Sequence, residues 1–128
     1  MAFKILIVDD STITRKVLRK TIDMIDIEVD EIIEAGDGEE ALDFLCSNQV
    51  DLILADINMP RMNGMEMTAV ILGNEKTCHV PVVIITTHAD DIRIKELRSQ
   101  GVKEYIHKPF TPEVIRDVLQ QVLPINSP

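Results

Sequence analysis

Aromatic and basic residues are scarce in this chain of 128 residues. It has no tryptophan, one tyrosine and three phenylalanines, and its 22 acidic residues outnumber the 13 basic ones. The resulting net charge of −9 opposes binding to phosphate backbones and to anionic lipid, and so few aromatic rings offer nucleic-acid bases little surface for stacking. We therefore expect no direct contact with nucleic acid or with a membrane.

Cysteine is rare, and long apolar segments are missing. Cys46 and Cys78 are the two cysteines, and neither belongs to a C-x-x-C or histidine-rich pattern, so we expect free thiols and no zinc or redox centre. No apolar run reaches membrane-spanning length, and the first residues carry no secretory signal. These two absences make the cytoplasm the expected compartment, and the length and the hydrophobic content of 45% predict one domain with a core of its own.

Apolar runs and turn residues predict an alternation of five strands and five helices. Continuous runs rich in β-branched residues indicate three strands, at Phe3–Val8, Leu52–Ala55 and Val80–Ile85. Two short segments followed by turn residues indicate two more, at Glu31–Ala35 and Glu104–His107. Helical spacing indicates helices over 12–26, 38–47, 64–72, 90–99 and from 112 onward. The order βαβαβαβαβα predicts an open, doubly wound parallel sheet with helices on both faces.

Particular residues support individual helices. Ile13, Val17 and Ile25 have the spacing of an apolar stripe on the first helix, and Thr111 is a good N-cap for the last one. Gly101 is expected to end the fourth helix in a left-handed conformation.

Polar residues follow four of the predicted strands. The first strand is followed by Asp9 and Asp10, the third by Asp56, the fourth by Thr86 and the fifth by Lys108. Ligands of open α/β sheets bind beyond the carboxyl ends of the strands, so we expect these side chains to converge there. Crowded carboxylates call for a cation, and oxygen ligands of this kind suit Mg²⁺.

This constellation has the parts needed for phosphoryl transfer. A carboxylate beside a metal ion and an ammonium group can attack phosphorus and form an aspartyl phosphate, while Thr86 donates to a phosphoryl oxygen and Lys108 offsets charge. Any one of the three aspartates could equally be a turn or cap residue. Their joint placement at strand ends is what favours a site.

Four motifs at these strand ends resemble the signature of bacterial response-regulator receiver domains. They are Val8-Asp9-Asp10, the segment DINMPRMNG from Asp56 to Gly64, Ile84-Ile85-Thr86-Thr87 and Lys108-Pro109-Phe110. The resemblance covers essentially the whole chain. It implies a flavodoxin-like (βα)5 sheet with strand order 2-1-3-4-5, with a receiver domain over residues 1–124 and a short tail over 125–128.

The resemblance also implies a role for each residue of the metal and phosphoryl site. Asp56 would be the phosphoacceptor, and Lys108 would contact a phosphoryl oxygen. Asp10, Asp56 and the main-chain carbonyl of Asn58 would bind Mg²⁺. Asp9 would hold a metal-bound water molecule.

A second group of residues is implied to transmit or tune the signal. Thr86 would move toward the phosphoryl group and Tyr105 inward behind it, which changes the surface made by the fourth helix, fifth strand and fifth helix. Asn58, Thr87 and His88 occupy positions that tune phosphate lifetime in the family. Thr87 departs from the usual Ala, Gly or Ser, and we expect Thr87→Ala to speed phosphorylation by small donors.

The implied function is a switch of two-component signal transduction that assists its own phosphorylation and dephosphorylation and is not an enzyme acting on another substrate. The implied partners are a sensor histidine kinase and an output protein, such as the flagellar motor switch, or a phosphatase; the chain itself is expected to be a monomer. Chemotaxis is the favoured pathway. A phosphorelay intermediate and a receiver cut from a longer DNA-binding regulator are the alternatives.

Two functions of other classes also fit an Asp-rich α/β chain. Haloacid-dehalogenase-type phosphatases have an Asp nucleophile, but in a D-x-D pattern after the first strand, where this chain has adjacent Asp9 and Asp10. A flavodoxin-like binding module would use the same fold without phosphorylation. Labelling of Asp56 by a phosphoryl donor separates both from the switch.

Overall fold

Strands and helices alternate along the chain. The computed structural model describes residues 3–57, 64–86, 91–108 and 110–123. The strands in these residues are Phe3–Val8 (β1), Val29–Ala35 (β2), Leu52–Ala55 (β3), Val82–Thr86 (β4) and Glu104–His107 (β5). The helices are Thr12–Met24 (α1), Gly38–Leu45 (α2), Gly64–Leu72 (α3), Asp91–Gln100 (α4) and Pro112–Val122 (α5). None of these helices is long and apolar enough to cross a bilayer.

The strands form one parallel sheet in the order β2-β1-β3-β4-β5, which confirms the predicted topology. β1 lies between β2 and β3, so the direction in which the sheet grows reverses at β1. Val8 pairs with Ala55, the last residues of β1 and β3, and the main-chain N–H of Asp56 donates to the Val8 carbonyl at 2.9 Å. The residues that follow these two strands are therefore direct neighbours.

Helices cover both faces of the sheet, and this explains why the strands are continuously apolar. Ile5 and Ile7 of β1 join a cluster with side chains of α1 and α5, whereas Leu6 and Val8 join a second cluster with side chains of α2 and α3. α4 packs beside α3. The core thus consists of two apolar layers separated by the sheet.

The predicted boundaries are correct to within two residues, and the differences have local causes. β4 begins at Val82 and not at Val80, because Pro81 has no N–H to donate and contributes its carbonyl, which accepts from the Ile53 N–H at 3.0 Å. β2 begins two residues earlier than predicted, at Val29. α2 ends at Leu45 and not at residue 47.

The predicted helix α1 is confirmed, but the first two residues whose spacing predicted it are not among those that it buries. Ile13 is 76% exposed and Val17 47% exposed. The buried side chains of α1 are Leu18, Thr21 and Ile22. An apolar spacing of one helical turn indicates a helix but does not say which side faces the sheet.

Three helix ends carry the capping groups that their sequences suggest. Thr111 Oγ1 accepts from the Val114 N–H at 3.3 Å, as predicted, and Asp37 caps α2 through the Glu40 N–H at 2.9 Å. Gly101 has φ +111°, which confirms the left-handed residue after α4. These caps fix where each helix starts or stops relative to the sheet.

Candidate functional site

The aspartates that follow β1 and β3 meet at the carboxyl end of the sheet. Asp9, Asp10 and Asp56 each offer a carboxylate oxygen, and these oxygens all lie within 4.8 Å of one another. Asp9 is buried, Asp56 is half-buried and Asp10 is exposed. Because β1 and β3 are adjacent, the topology itself produces this grouping.

Lys108, which follows β5, reaches the same place. Its Nζ lies 3.1 Å from Asp9 Oδ2 and 3.7 Å from Asp56 Oδ2, and its side chain is 17% exposed. An ammonium group between two carboxylates offsets part of their mutual repulsion, and partial burial strengthens that effect. Asp9, Asp10, Asp56, Thr86 and Lys108 are called the rim below.

Asp9 is held by protein donors at both carboxylate oxygens. Its Oδ1 accepts from the Ser11 N–H at 2.8 Å, and its Oδ2 faces Lys108. Ser11 is also the N-cap of α1, because its Oγ accepts from the Thr14 N–H. Asp9 is therefore tied to the first turn of α1, and Asp10 is the more accessible of the two carboxylates.

Asp56 presents its two oxygens differently. Oδ1 accepts from the Ile57 N–H at 2.8 Å, and Oδ2 faces Lys108. The side chain is 13% exposed. Asp56 is therefore sheltered, yet it can still be reached from solvent.

Arg15 supports the rim from α1, a role that was not predicted from the sequence. Its guanidinium donates to the main-chain carbonyl of Asp9 and pairs with Glu34 Oε1 at 3.0 Å. Arg19, one turn later, binds Glu34 Oε2 at 2.9 Å. A sequence signal for these contacts does exist. The helix after the Asp pair has two arginines one turn apart, and a glutamate lies near the end of β2.

Thr86 ends β4 and is fully buried. It pairs with His107 of β5, and its carbonyl accepts from the Lys108 N–H at 2.8 Å. Thr86 and Lys108 are thereby fixed beside each other. With the three aspartates, all the residues that the sequence predicts at strand ends lie at this end of the sheet.

Tyr105 lies within β5, before the rim. It pairs with Ile84, is half-buried and packs against the core cluster that includes α2 and α3 side chains. The guanidinium carbon of Arg98 stands 5.1 Å from the centre of its ring. The predicted metal ligand Asn58 and the rate-tuning positions Thr87 and His88 lie outside the described residues.

Both cysteines are exposed free thiols, as predicted. Among the described residues, the rim aspartates are the group of three or more acidic, histidine or cysteine side chains close enough to share a metal ion. The arrangement can hold a hard cation against three carboxylates, with an ammonium group beside a carboxylate that could act as a nucleophile.

A family model described as "Response regulator receiver domain" matches residues 5–120. The chain is similar to the Chemotaxis protein CheY homolog of Campylobacter jejuni, with 35% identity over 97% of this chain and 95% of that protein. It also resembles the solved structure of chemotaxis protein CheY4 of Vibrio cholerae, with a TM-score of 0.86 and 31% identity over 96% of this chain and all of that one.

A third similar structure is the Mn²⁺-bound form of response regulator Rcp1, with a TM-score of 0.84 and 25% identity over 98% of this chain and 99% of that one. The matched residues include the aspartates that follow β1 and β3 and the lysine that follows β5. Topology and sequence similarity thus agree. The chain belongs to the response regulator receiver domain family and is a phospho-accepting switch of two-component signal transduction, related to chemotaxis regulators.

Proposed function

We propose that the chain accepts a phosphoryl group on Asp56 in the presence of Mg²⁺ and assists this transfer with its own rim residues. The observation that carries the proposal is the meeting of three carboxylates within 4.8 Å, with Lys108 between Asp9 and Asp56. Asp56 is the proposed acceptor because the family resemblance implies this role for it. It is the half-buried carboxylate that follows β3. The product is the phosphorylated protein itself, which persists until water hydrolyses the acyl phosphate.

The donor set fits a hard divalent cation. Asp10 and Asp56 would hold it, with the main-chain carbonyl of Asn58 as a further ligand, and Asp9 would contribute through a water molecule, as the family resemblance implies. Bound there, the ion supplies positive charge next to the transferring phosphoryl group. The Mn²⁺ bound to Rcp1 is a hard divalent cation of the same type.

The chain's own residues account for the rest of the chemistry. An oxygen of Asp56 forms the new bond to phosphorus, and the bond from phosphorus to the donor's leaving atom breaks with its electron pair. Lys108 neutralises charge on the phosphoryl oxygens, and Thr86 supplies a hydroxyl from the adjacent strand end. Hydrolysis of the resulting acyl phosphate by water restores the carboxylate.

The proposed donor is a sensor histidine kinase, and the proposed readout is a protein that binds the surface of α4, β5 and α5 after Tyr105 moves. Chemotaxis is the favoured pathway because relatives over nearly the full length of the chain are chemotaxis proteins. A flagellar motor switch would then be the output partner, and the chain would act in the cytoplasm as a monomer. The receiver limits of 1–124 remain a prediction.

Intact mass spectrometry after incubation with a small phosphoryl donor and Mg²⁺ tests the proposal. We expect one phosphoryl group per chain, none in Asp56→Asn and none when a chelator removes the metal ion. Asp43→Asn is the matched control, because Asp43 is an exposed carboxylate on α2. Undiminished labelling of Asp56→Asn would refute the assignment, and repeated turnover of a phosphoester would favour a phosphatase instead.

A further inference from the structure

Three side chains form a small cluster where the end of α4 meets the start of β5. Arg98 Nη2 lies 3.0 Å from Glu104 Oε1, and the same oxygen accepts from the Tyr105 N–H at 3.1 Å. The Arg98 guanidinium also covers the Tyr105 ring, with 5.1 Å between its carbon and the ring centre. Glu104 Oε1 thus connects the Arg98 guanidinium to the main chain of Tyr105, and the same guanidinium covers the Tyr105 ring.

This geometry gives the guanidinium a defined position although it is exposed. The Arg98 side chain is 54% exposed, so its ion pair with Glu104 adds little stability by itself. The planar guanidinium can, however, stack on a ring and donate to a carboxylate at its edge at the same time. Glu104 is itself fixed by the Tyr105 N–H, so all three groups restrain one another.

Tyr105 has two kinds of surroundings. One part of its half-buried ring packs against the apolar cluster on the α2 and α3 side of the sheet, and another part lies under Arg98 at the surface. A ring that moves further inward leaves the guanidinium behind, because Arg98 is attached near the end of α4 and bonded to Glu104 at the surface. Inward movement therefore costs the contact with Arg98.

We propose that Arg98 is a positioning residue that holds the Tyr105 ring in its half-buried place. By opposing inward movement of the ring, Arg98 weakens the apparent affinity of the rim for the phosphoryl group or its analogue. The inference rests on the proposed function, because it takes phosphorylation of Asp56 as the event that draws the ring inward. Glu104 acts through Arg98 by fixing its guanidinium. Loss of either residue should make the switch easier to turn on.

The composition of the chain supplies a direct probe. Tyr105 is its only tyrosine, so protein labelled with fluorotyrosine gives one fluorine NMR environment to follow. Without any phosphoryl analogue, we expect Arg98→Ala and Arg98→Gln to shift this signal, and Glu104→Gln to shift it in the same direction by less. Lys95→Ala removes the same charge from an exposed position of α4 and should leave the signal unchanged.

Titration with beryllium fluoride and Mg²⁺, an analogue of the phosphoryl group, measures the coupling. If the contact with Arg98 opposes the loaded state, its removal should lower the apparent dissociation constant about two- to fivefold, as expected for an exposed cation–π contact. The signal of Lys95→Ala should titrate as in the unsubstituted protein. Circular dichroism checks that each variant is folded. If Arg98→Ala does not fold, the titration of Arg98→Gln replaces it.

The outcomes separate the two proposals. Arg98 variants that match the unsubstituted protein in both signal and titration refute the positioning role, as does an equal effect of Lys95→Ala. An unsubstituted protein that shows no response to beryllium fluoride contradicts the proposed chemistry at Asp56. The fluorine signals recorded without the analogue still decide whether Arg98 sets the place of the ring.

Discussion

The helices that follow β1 and β4 both begin near the rim, and they are attached to the sheet in different ways. α1 buries Leu18, Thr21 and Ile22, and its Arg15 binds both Glu34 and the Asp9 carbonyl. On α4, the side chains that the structure describes at 95, 96 and 98–100 are all exposed, and Arg98 provides a polar contact with β5. The α1 side thus holds the rim through buried packing and a half-buried ion pair, whereas the contact that the structure describes between α4 and β5 is an exposed polar one.

Lys108 joins the two sides, so removing it should have the largest effect. Lys108→Ala takes away the ammonium group that faces Asp9 and Asp56. We expect phosphorylation by a small donor to slow by about a hundredfold or more, the usual result of losing one charge-stabilising donor. Lys103→Ala, an exposed lysine just before β5, should phosphorylate at the normal rate, and similar slowing in both variants would contradict a specific role.

The attachment of α1 is tested by Leu18→Ala. Leu18 is 1% exposed in the cluster between α1, α5 and the sheet, so truncation should lower the free energy of unfolding by about 2–5 kcal/mol in urea denaturation. Its neighbour Val17 is 47% exposed, and Val17→Ala should cost less than about 0.5 kcal/mol. Equal losses at the two positions would mean that the buried face of α1 is assigned incorrectly.

Gly101→Ala tests the end of α4. The φ of +111° strains any residue with a Cβ, and that atom would lie 3.3 Å from Leu72 Cδ1. We expect a loss of about 1–2 kcal/mol in unfolding free energy, with faster amide exchange concentrated in α4. At Gly36 an added Cβ meets its nearest neighbour at 3.4 Å, and φ lies outside the left-handed region, so Gly36→Ala should be milder. Exchange that speeds up equally in α1 would contradict the separate behaviour of the two helices.

The smallest expected effect is that of Glu34→Gln, which weakens both arginine contacts on the α1 side. Exposed and half-exposed ion pairs contribute little, so the loss should stay below about 1 kcal/mol and shrink further in high salt. Asp117→Asn breaks the more exposed pair with Arg116 and should have no measurable effect. A salt-independent loss at Glu34 would show that packing of the side chain, and not its charge, supports Arg15.

The strand ends were predictable because apolar runs and the polar residues after them are local features. β1, β3 and β5 have the predicted limits, and the convergence of Asp9, Asp56 and Lys108 follows from their positions after these strands. The strand order required the family resemblance, since periodicity alone does not say which strands are neighbours.

Contacts across elements were not predictable in the same way. The pairing of Arg15 with Glu34 depends on the register between β1 and β2, and the stacking of Arg98 on Tyr105 depends on the direction in which the chain turns at Gly101. The side of α1 that faces the sheet was not predictable either, because Ile13 and Val17 have helical spacing and are nevertheless exposed.

The contact between Lys108 and Asp9 joins residues that are 99 positions apart in the sequence. During biosynthesis the aspartates leave the ribosome well before the lysine, so an unfinished chain has a cluster of carboxylates whose protein counter-charge has not yet been made. Pairing of β5 with β4 is what brings that charge to the cluster. The chain therefore becomes competent to receive a signal only when nearly the whole domain has been synthesised and folded.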